Sequence, residues 1–218
     1  MSSEKPRVSD HMSHPIRKPR HSYHHGDLRE ALIEAALREA EQGGPEAISI
    51  KALAKTLGVS QPAPYRHFAD REALLVAVTA EAFRQFNAVL RQAVAASSRR
   101  SKLSRLAQAA LVFGLERSGI YRLMFASQTM ACAAEDSELH VAAQETFALL
   151  LDALDGPRDL LRERYALQVW ASLHGVVMLA QQGLLTGKSI NVSREELVED
   201  MVAQTLKSLQ SAKDGARD

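Results

Sequence analysis

Apolar residues recur at helical spacing through nearly the whole of this chain, and nowhere do they alternate as a half-buried strand requires. Leu28, Leu32, Ala36 and Ala40 step by four until Gly43-Gly44. They predict a first helix opened at Asp27, where Asp27-Leu28-Arg29-Glu30 resembles a capping box. Leu53, Ala54, Leu57 and Val59 form a small apolar side across two short helical patterns joined at Gly58. A glycine in the left-handed conformation is the usual stop for the first of them. From Asp70, read as a cap, Leu75, Val78, Ala82, Phe86, Val89 and Ala93 make one stripe along a helix that Ser97–Ser101 breaks. Further helices are predicted near 102–117, 119–129, 136–154, 159–184 and 194–211, the last opened by the capping box Ser193-Arg194-Glu195-Glu196. The predicted fold class is all-α.

The run from Ile48 to Phe68 carries no Asp or Glu, has Lys51, Lys55 and Arg66, and closes on Tyr65-Arg66-His67-Phe68. A helix-turn-helix needs this pattern, because one helix crosses a phosphate backbone while the next lies in the major groove. Ser60 is expected to cap the second helix. Pro62 falls in its first turn, where its missing N–H has no intrahelical partner, and Pro64 forfeits one backbone bond, so the recognition helix should be short.

Composition narrows this without redirecting it. The chain has 218 residues, 46% hydrophobic and 24% charged, with a formal net charge of +1. So small a charge argues against a protein that coats nucleic acid non-specifically and leaves any basic surface local. Residues 1–25 are polar and aperiodic, with Arg17, Lys18 and Arg20 and five histidines from His11 to His25. They read as a basic solvated arm, with phosphate or minor-groove contact as an option. A metal site there is the rival reading, although no Cys completes a zinc cage. No apolar stretch near the start could be a signal-peptide core, and the single Cys132 cannot pair within the chain. Both fit a cytoplasmic protein with no membrane segment. Nothing basic lies within four residues of Cys132 to activate it as a redox switch.

A first helix, a helix-turn-helix and a long helix into an all-α body resemble the TetR family of bacterial transcriptional regulators. The resemblance rests on the turn Leu57-Gly58-Val59, the Tyr65-x-His67-Phe68 ending and Asp70-Arg71-Glu72-Ala73-Leu74. Trp170-x-x-x-His174-Gly175 and Tyr121-Arg122-Leu123-Met124-Phe125 are similar to the C-terminal domain of one subset of that family. It implies an N-terminal three-helix DNA-binding domain over residues 26–70, and a helical effector-binding and dimerisation domain over 71–218. It also implies an operator of double-stranded DNA, a small-molecule effector, no cofactor and no catalytic residue. The DNA-contacting set it predicts is Ser49, Lys51, Ser60, Gln61, Pro62, Ala63, Tyr65, His67 and Arg71, the last standing where the family commonly has Lys. The residue types suit the roles. Gln pairs bidentately with adenine, small apolar groups meet a thymine methyl, Tyr and His donate to phosphate, and Lys51 can read guanine.

Phe113, Tyr121, Met124, Phe125, Phe147, Trp170, His174 and Met178 are the candidate effector-pocket residues, though at helical spacing such residues are ordinarily core. His174 in particular is more commonly a satisfied interior histidine than a ligand or base. Between Leu160 and Leu185 apolar residues surround the helix, and Leu197, Met201, Val202, Thr205, Leu206 and Leu209 stripe its successor. Symmetric pairing of these two helices, about 159–184 and 194–211, predicts a homodimer. Two rival functions are compatible with the residues: a helical protein-interaction module without DNA binding, and a metal-dependent hydrolase.

Overall fold

The computed structural model describes residues 25–126, 133–156, 159–185 and 191–215. The predicted arm up to residue 24, Cys132, and the end of the helix expected over 119–129 lie outside them. Among the described residues all regular structure is helical. The helices are α1 (His25–Gly43), α2 (Ile50–Thr56), α3 (Arg71–Ala95), α4 (Lys102–Glu116), α5 (Ser118–Met124), α6 (Glu138–Ala153), α7 (Leu160–Gln181) and α8 (Arg194–Gly215). Two single 3₁₀ turns, Pro45–Ala47 and Pro64–Arg66, accompany them.

Side-chain caps account for where most of these helices begin. The Asp70 carboxylate accepts from the Ala73 N–H at 2.8 Å, Asp159 from Arg162 at 2.9 Å and Ser101 from Ser104 at 3.1 Å. The Ser193 box forms in both directions: the Glu196 N–H donates to Ser193 Oγ at 3.1 Å, and the Ser193 N–H to Glu196 Oε2 at 2.8 Å. Such caps are each worth about 0.5–2 kcal/mol. The expectation at Asp27 is corrected, because α1 begins two residues earlier, at His25. An acidic residue is favoured inside a first turn as well as before it, so the pattern alone does not fix the start.

The 25 residues of α3 join the two halves of the molecule, spanning about 38 Å at 1.5 Å per residue. Near its start it shares a core with α1 and α2 that includes Leu32, Leu53, Phe68 and Leu74, all buried. Further on it packs along α4 and α6, and α7 and α8 close the far side against α4. By length and composition α3 could cross a membrane, but most of its apolar window is buried inside the protein. Asn87, fully buried on α3, donates to the Ala142 carbonyl at 2.8 Å and accepts from Thr146 Oγ1 at 2.6 Å. Buried polar atoms must be paired, so this junction fixes the register of α3 against α6.

Candidate functional site

The reading surface is built on α2 and the residues after it as far as Phe68. Ser49 caps α2 by accepting from the Ala52 N–H at 3.4 Å. Ile50, Leu53 and Ala54 point inward, which leaves Lys51 and Lys55 exposed. Gly58, at φ +67°, then reverses the chain. The Gly58 N–H donates to the Lys55 carbonyl at 3.1 Å and the Val59 N–H to Ala54 at 3.0 Å, a Schellman closure.

The segment after Val59 is not the helix that its residue types predict. The recognition element is no α-helix capped by Ser60 but a turn leading into the single 3₁₀ turn Pro64–Arg66. The Ser60 carbonyl, rather than its hydroxyl, holds that turn, accepting from the Ala63 N–H at 3.0 Å. Pro64 lacks the N–H that an α-helix would bond to the Ser60 carbonyl, and the chain bonds instead over three residues, the Ala63 N–H to Ser60 and the Arg66 N–H to Ala63. Pro64 and Phe68 are buried and anchor the segment. Between and before these anchors Ser60, Gln61, Pro62, Tyr65 and Arg66 face outward, Tyr65 with 55% of its surface in solvent, while Ala63 and His67 are half-buried. Arg71 has a structural task that its charge does not disclose. Its Nε donates to the Ile48 carbonyl at 2.9 Å and its Nη2 to the Pro45 carbonyl at 2.8 Å. Two of its five donors therefore brace the reading surface instead of facing outward.

A second site lies between α3, α4, α5, α6 and α7. Tyr121, Phe125, Phe147, Trp170 and His174 line a cavity of about 40 Å³ together with Phe86, Leu90, Leu106, Ala110, Thr146, Leu150 and Leu173. That is room for a few water molecules. Phe125 touches three rings of this wall, with ring centroids 4.7 Å from His174, 4.8 Å from Tyr121 and 6.3 Å from Trp170. The Tyr121 hydroxyl lies 3.1 Å from His174 Nδ1. Burial raises the Tyr121 phenol above its ordinary value and lowers the His174 imidazole below its own, so both favour the neutral form. Three expected lining residues are elsewhere. Phe113 is buried against Phe86 at 4.9 Å, Met124 is fully buried, and Met178 packs on the outside of the core. Sequence reasoning does not find Phe86 or Thr146 as wall residues, although Phe86 lies on the α3 stripe.

α1 contacts elements of both sites. At its C-terminal end, Gly119 of α5 lies so close that a Cβ there would be 2.1 Å from the Ala40 carbonyl oxygen. Glu41 accepts from the Gly119 N–H at 3.3 Å and from Arg117 Nε at 3.4 Å. Near its other end, Arg29 lies 5.7 Å from the Phe68 ring centroid and 3.9 Å from Glu138 of α6, which also accepts from Arg84 at 3.2 Å. Thus α5, a wall of the cavity, packs against the C-terminal end of α1, while α6 reaches its other end through the exposed Arg29–Glu138 pair.

A helix-turn-helix segment with no carboxylate of its own, carried on a helical body, defines a DNA-binding regulator. The comparisons with known proteins say the same. Residues 32–78 match the bacterial regulatory proteins of the tetR family, and residues 103–205 match a tetracyclin repressor-like C-terminal domain. The chain belongs to the TetR family of transcriptional regulators. Over 179 residues it is 26% identical to the uncharacterized HTH-type transcriptional regulator Rv0681 of Mycobacterium tuberculosis, covering 80% of this chain and 78% of that one. A protein of unknown function from Rhodococcus sp. RHA1 is 30% identical, with a TM-score of 0.71 over 87% of this chain and 98% of that one. The TetR family regulator PfmR from Thermus thermophilus shares the fold at 19% identity, with a TM-score of 0.55 over 81% of this chain and 97% of that one.

Proposed function

We propose that the protein is a sequence-specific, ligand-responsive repressor that acts in the cytoplasm and binds a pseudo-palindromic operator as a homodimer. Residues 26–70 serve as the DNA-binding domain, 71–218 as the effector-binding and dimerisation domain, and 1–25 as a basic arm. The observation that carries the DNA reading is the surface from Ile48 to Phe68, where Lys51, Gln61, Tyr65 and Arg66 are exposed and no carboxylate stands among them. Gln61, Pro62 and Ala63 take the base edges, while Ser49, Ser60, Tyr65 and His67 take phosphates, with the remaining Arg71 donors beside them.

Self-association is supported by the outer face of α7. Leu160, Leu167 and Leu179 are 83%, 54% and 42% exposed, and a Cβ added at Gly175 on the same side meets nothing within 4 Å. An apolar face with room for close backbone approach suits the same helix of a second copy, with α8 alongside. Two reading surfaces would then reach successive major grooves about 34–36 Å apart. A ligand larger than the present cavity must spread its walls, and α5 and α6 convey that to α1. A population with a different separation of reading surfaces is the result, and DNA affinity falls.

Selection from a pool of random duplexes, followed by sedimentation of the complex, tests the reading. The expected product is an inverted repeat bound by two protomers, with affinity dropping steeply as salt rises. A monomer that enriches no sequence even in dilute buffer would overturn it.

A further inference from the structure

We infer that the cavity takes an uncharged, flat ring compound bearing one hydrogen-bonding group, which it presents to the Tyr121–His174 pair. This rests on the effector reading given above and specifies the chemistry of that effector.

Among the described residues the cavity wall contains no Asp, Glu, Lys or Arg. The nearest carboxylate in sequence to the wall is that of Glu145 beside Thr146, and it is engaged by Arg91 and by Asn87 Nδ2, the latter at 3.2 Å. An anion entering here would exchange water for a surface without a cation, and a cation would find no free carboxylate. Either transfer carries the penalty for burying an unpaired charge. The aromatic faces offset that only in part, and only for a cation.

The polar atoms that remain are few. Thr146 spends its proton on Asn87 Oδ1 at 2.6 Å. The Tyr121 hydroxyl and His174 Nδ1 share one hydrogen bond, and in either tautomer the pair keeps a single unused donor. If Tyr121 donates, that donor is Nε2–H of His174; if Nδ1–H donates, it is the tyrosine O–H. Both groups are held neutral by burial. One hydroxyl, ether or carbonyl oxygen on the ligand satisfies the donor of that pair, and the Trp170 indole N–H, on the more exposed part of the wall, is a further donor. The rest of the wall selects shape. Phe125 is tilted against Tyr121, His174 and Trp170, and Phe147 lies 5.8 Å from Trp170. Rings arranged in this way accept another ring by offset or edge contact. Trp170, 37% exposed, is the least enclosed of them and stands where a ligand can enter.

Binding of the neutral dye N-phenyl-1-naphthylamine to the full chain provides the assay, with four competitors of one skeleton at pH 7.5. These are 2-naphthalenemethanol, 2-naphthoate, 2-naphthylmethylammonium and 2-methylnaphthalene. The alcohol should displace the dye at concentrations at least about tenfold below the acid or the ammonium compound. It should also surpass 2-methylnaphthalene, and that advantage should vanish in the Tyr121→Phe, His174→Phe double variant. Ala110→Trp, or the smaller plug Ala110→Leu where the first does not fold, should exclude the dye. Displacement by the acid or the ammonium compound as effective as by the alcohol overturns the ligand class and leaves the effector site standing. Dye uptake unchanged by the plug, or no displacement by any competitor, overturns both.

Discussion

The reading surface and the cavity are built on opposite principles. In the first, a tightly filled core of Leu32, Leu53, Phe68 and Leu74 holds polar and aromatic groups out in solvent on one short stretch of chain. In the second, aromatic groups face inward around a space that is not filled, and the wall they belong to comes from five helices between Phe86 and His174. The first arrangement suits a surface that must not change shape on meeting its target. The second suits one that must. A regulator needs both, and the contrast predicts where the molecule resists mutation and where it yields.

The largest effect should come from cutting into the filled core. Leu53→Ala is expected to cost about 2–5 kcal/mol, whereas Leu150→Ala, beside the existing void, should cost about half as much because fewer contacts are lost. Urea titration of both variants measures this, and equal losses would erase the distinction between the regions. Gly119→Ala acts at the junction, where its new methyl meets backbone atoms of Ala40 and Glu41 that cannot turn aside. A loss of about 1–3 kcal/mol is expected, together with weaker DNA binding although no DNA contact is touched. Unchanged affinity would show that α5 does not position α1.

Within the reading surface, Gln61→Ala should relax discrimination at one base position of each half-site by about 1–3 kcal/mol. Tyr65→Ala should weaken binding to all duplexes alike. Competition binding with single-base operator variants separates the two, and a uniform loss for both would refute the assignment. The smallest effect belongs to His174. Burial lowers its folded pKa below the unfolded value of about 6.5. Between those two values the unfolded chain holds the extra proton, so stability falls as pH drops through that window and levels off beneath it. His174→Gln should flatten this part of the pH dependence of the urea midpoint, and an unaltered profile would show that the imidazole is not sequestered.

The same contrast explains what the sequence discloses. Local features are legible because their physics is local. Leu57-Gly58-Val59 has to turn, and Asp70 and Ser193 have to cap. The recognition helix is overextended in a sequence-based reading because its outward residue types suggest a helix, while Pro64 removes the bond to the Ser60 carbonyl that would have continued one. The cavity is half visible. Tyr121, Phe125, Phe147, Trp170 and His174 are found by residue type, but so are Phe113, Met124 and Met178. Side-chain chemistry does not say on which side of a wall a residue stands: Phe86 and Phe113 touch each other, and only Phe86 reaches the void. Arg71 misleads for the complementary reason, since its partners Pro45 and Ile48 are more than twenty residues away.

The two proline rings between Ser60 and Phe68 have one more consequence. Each fixes a backbone torsion in the free protein, so this segment surrenders little conformational entropy when it docks. Recognition here is closer to lock and key than to folding upon contact. Operators that would require the segment to wind further into the groove are penalised before any base is read.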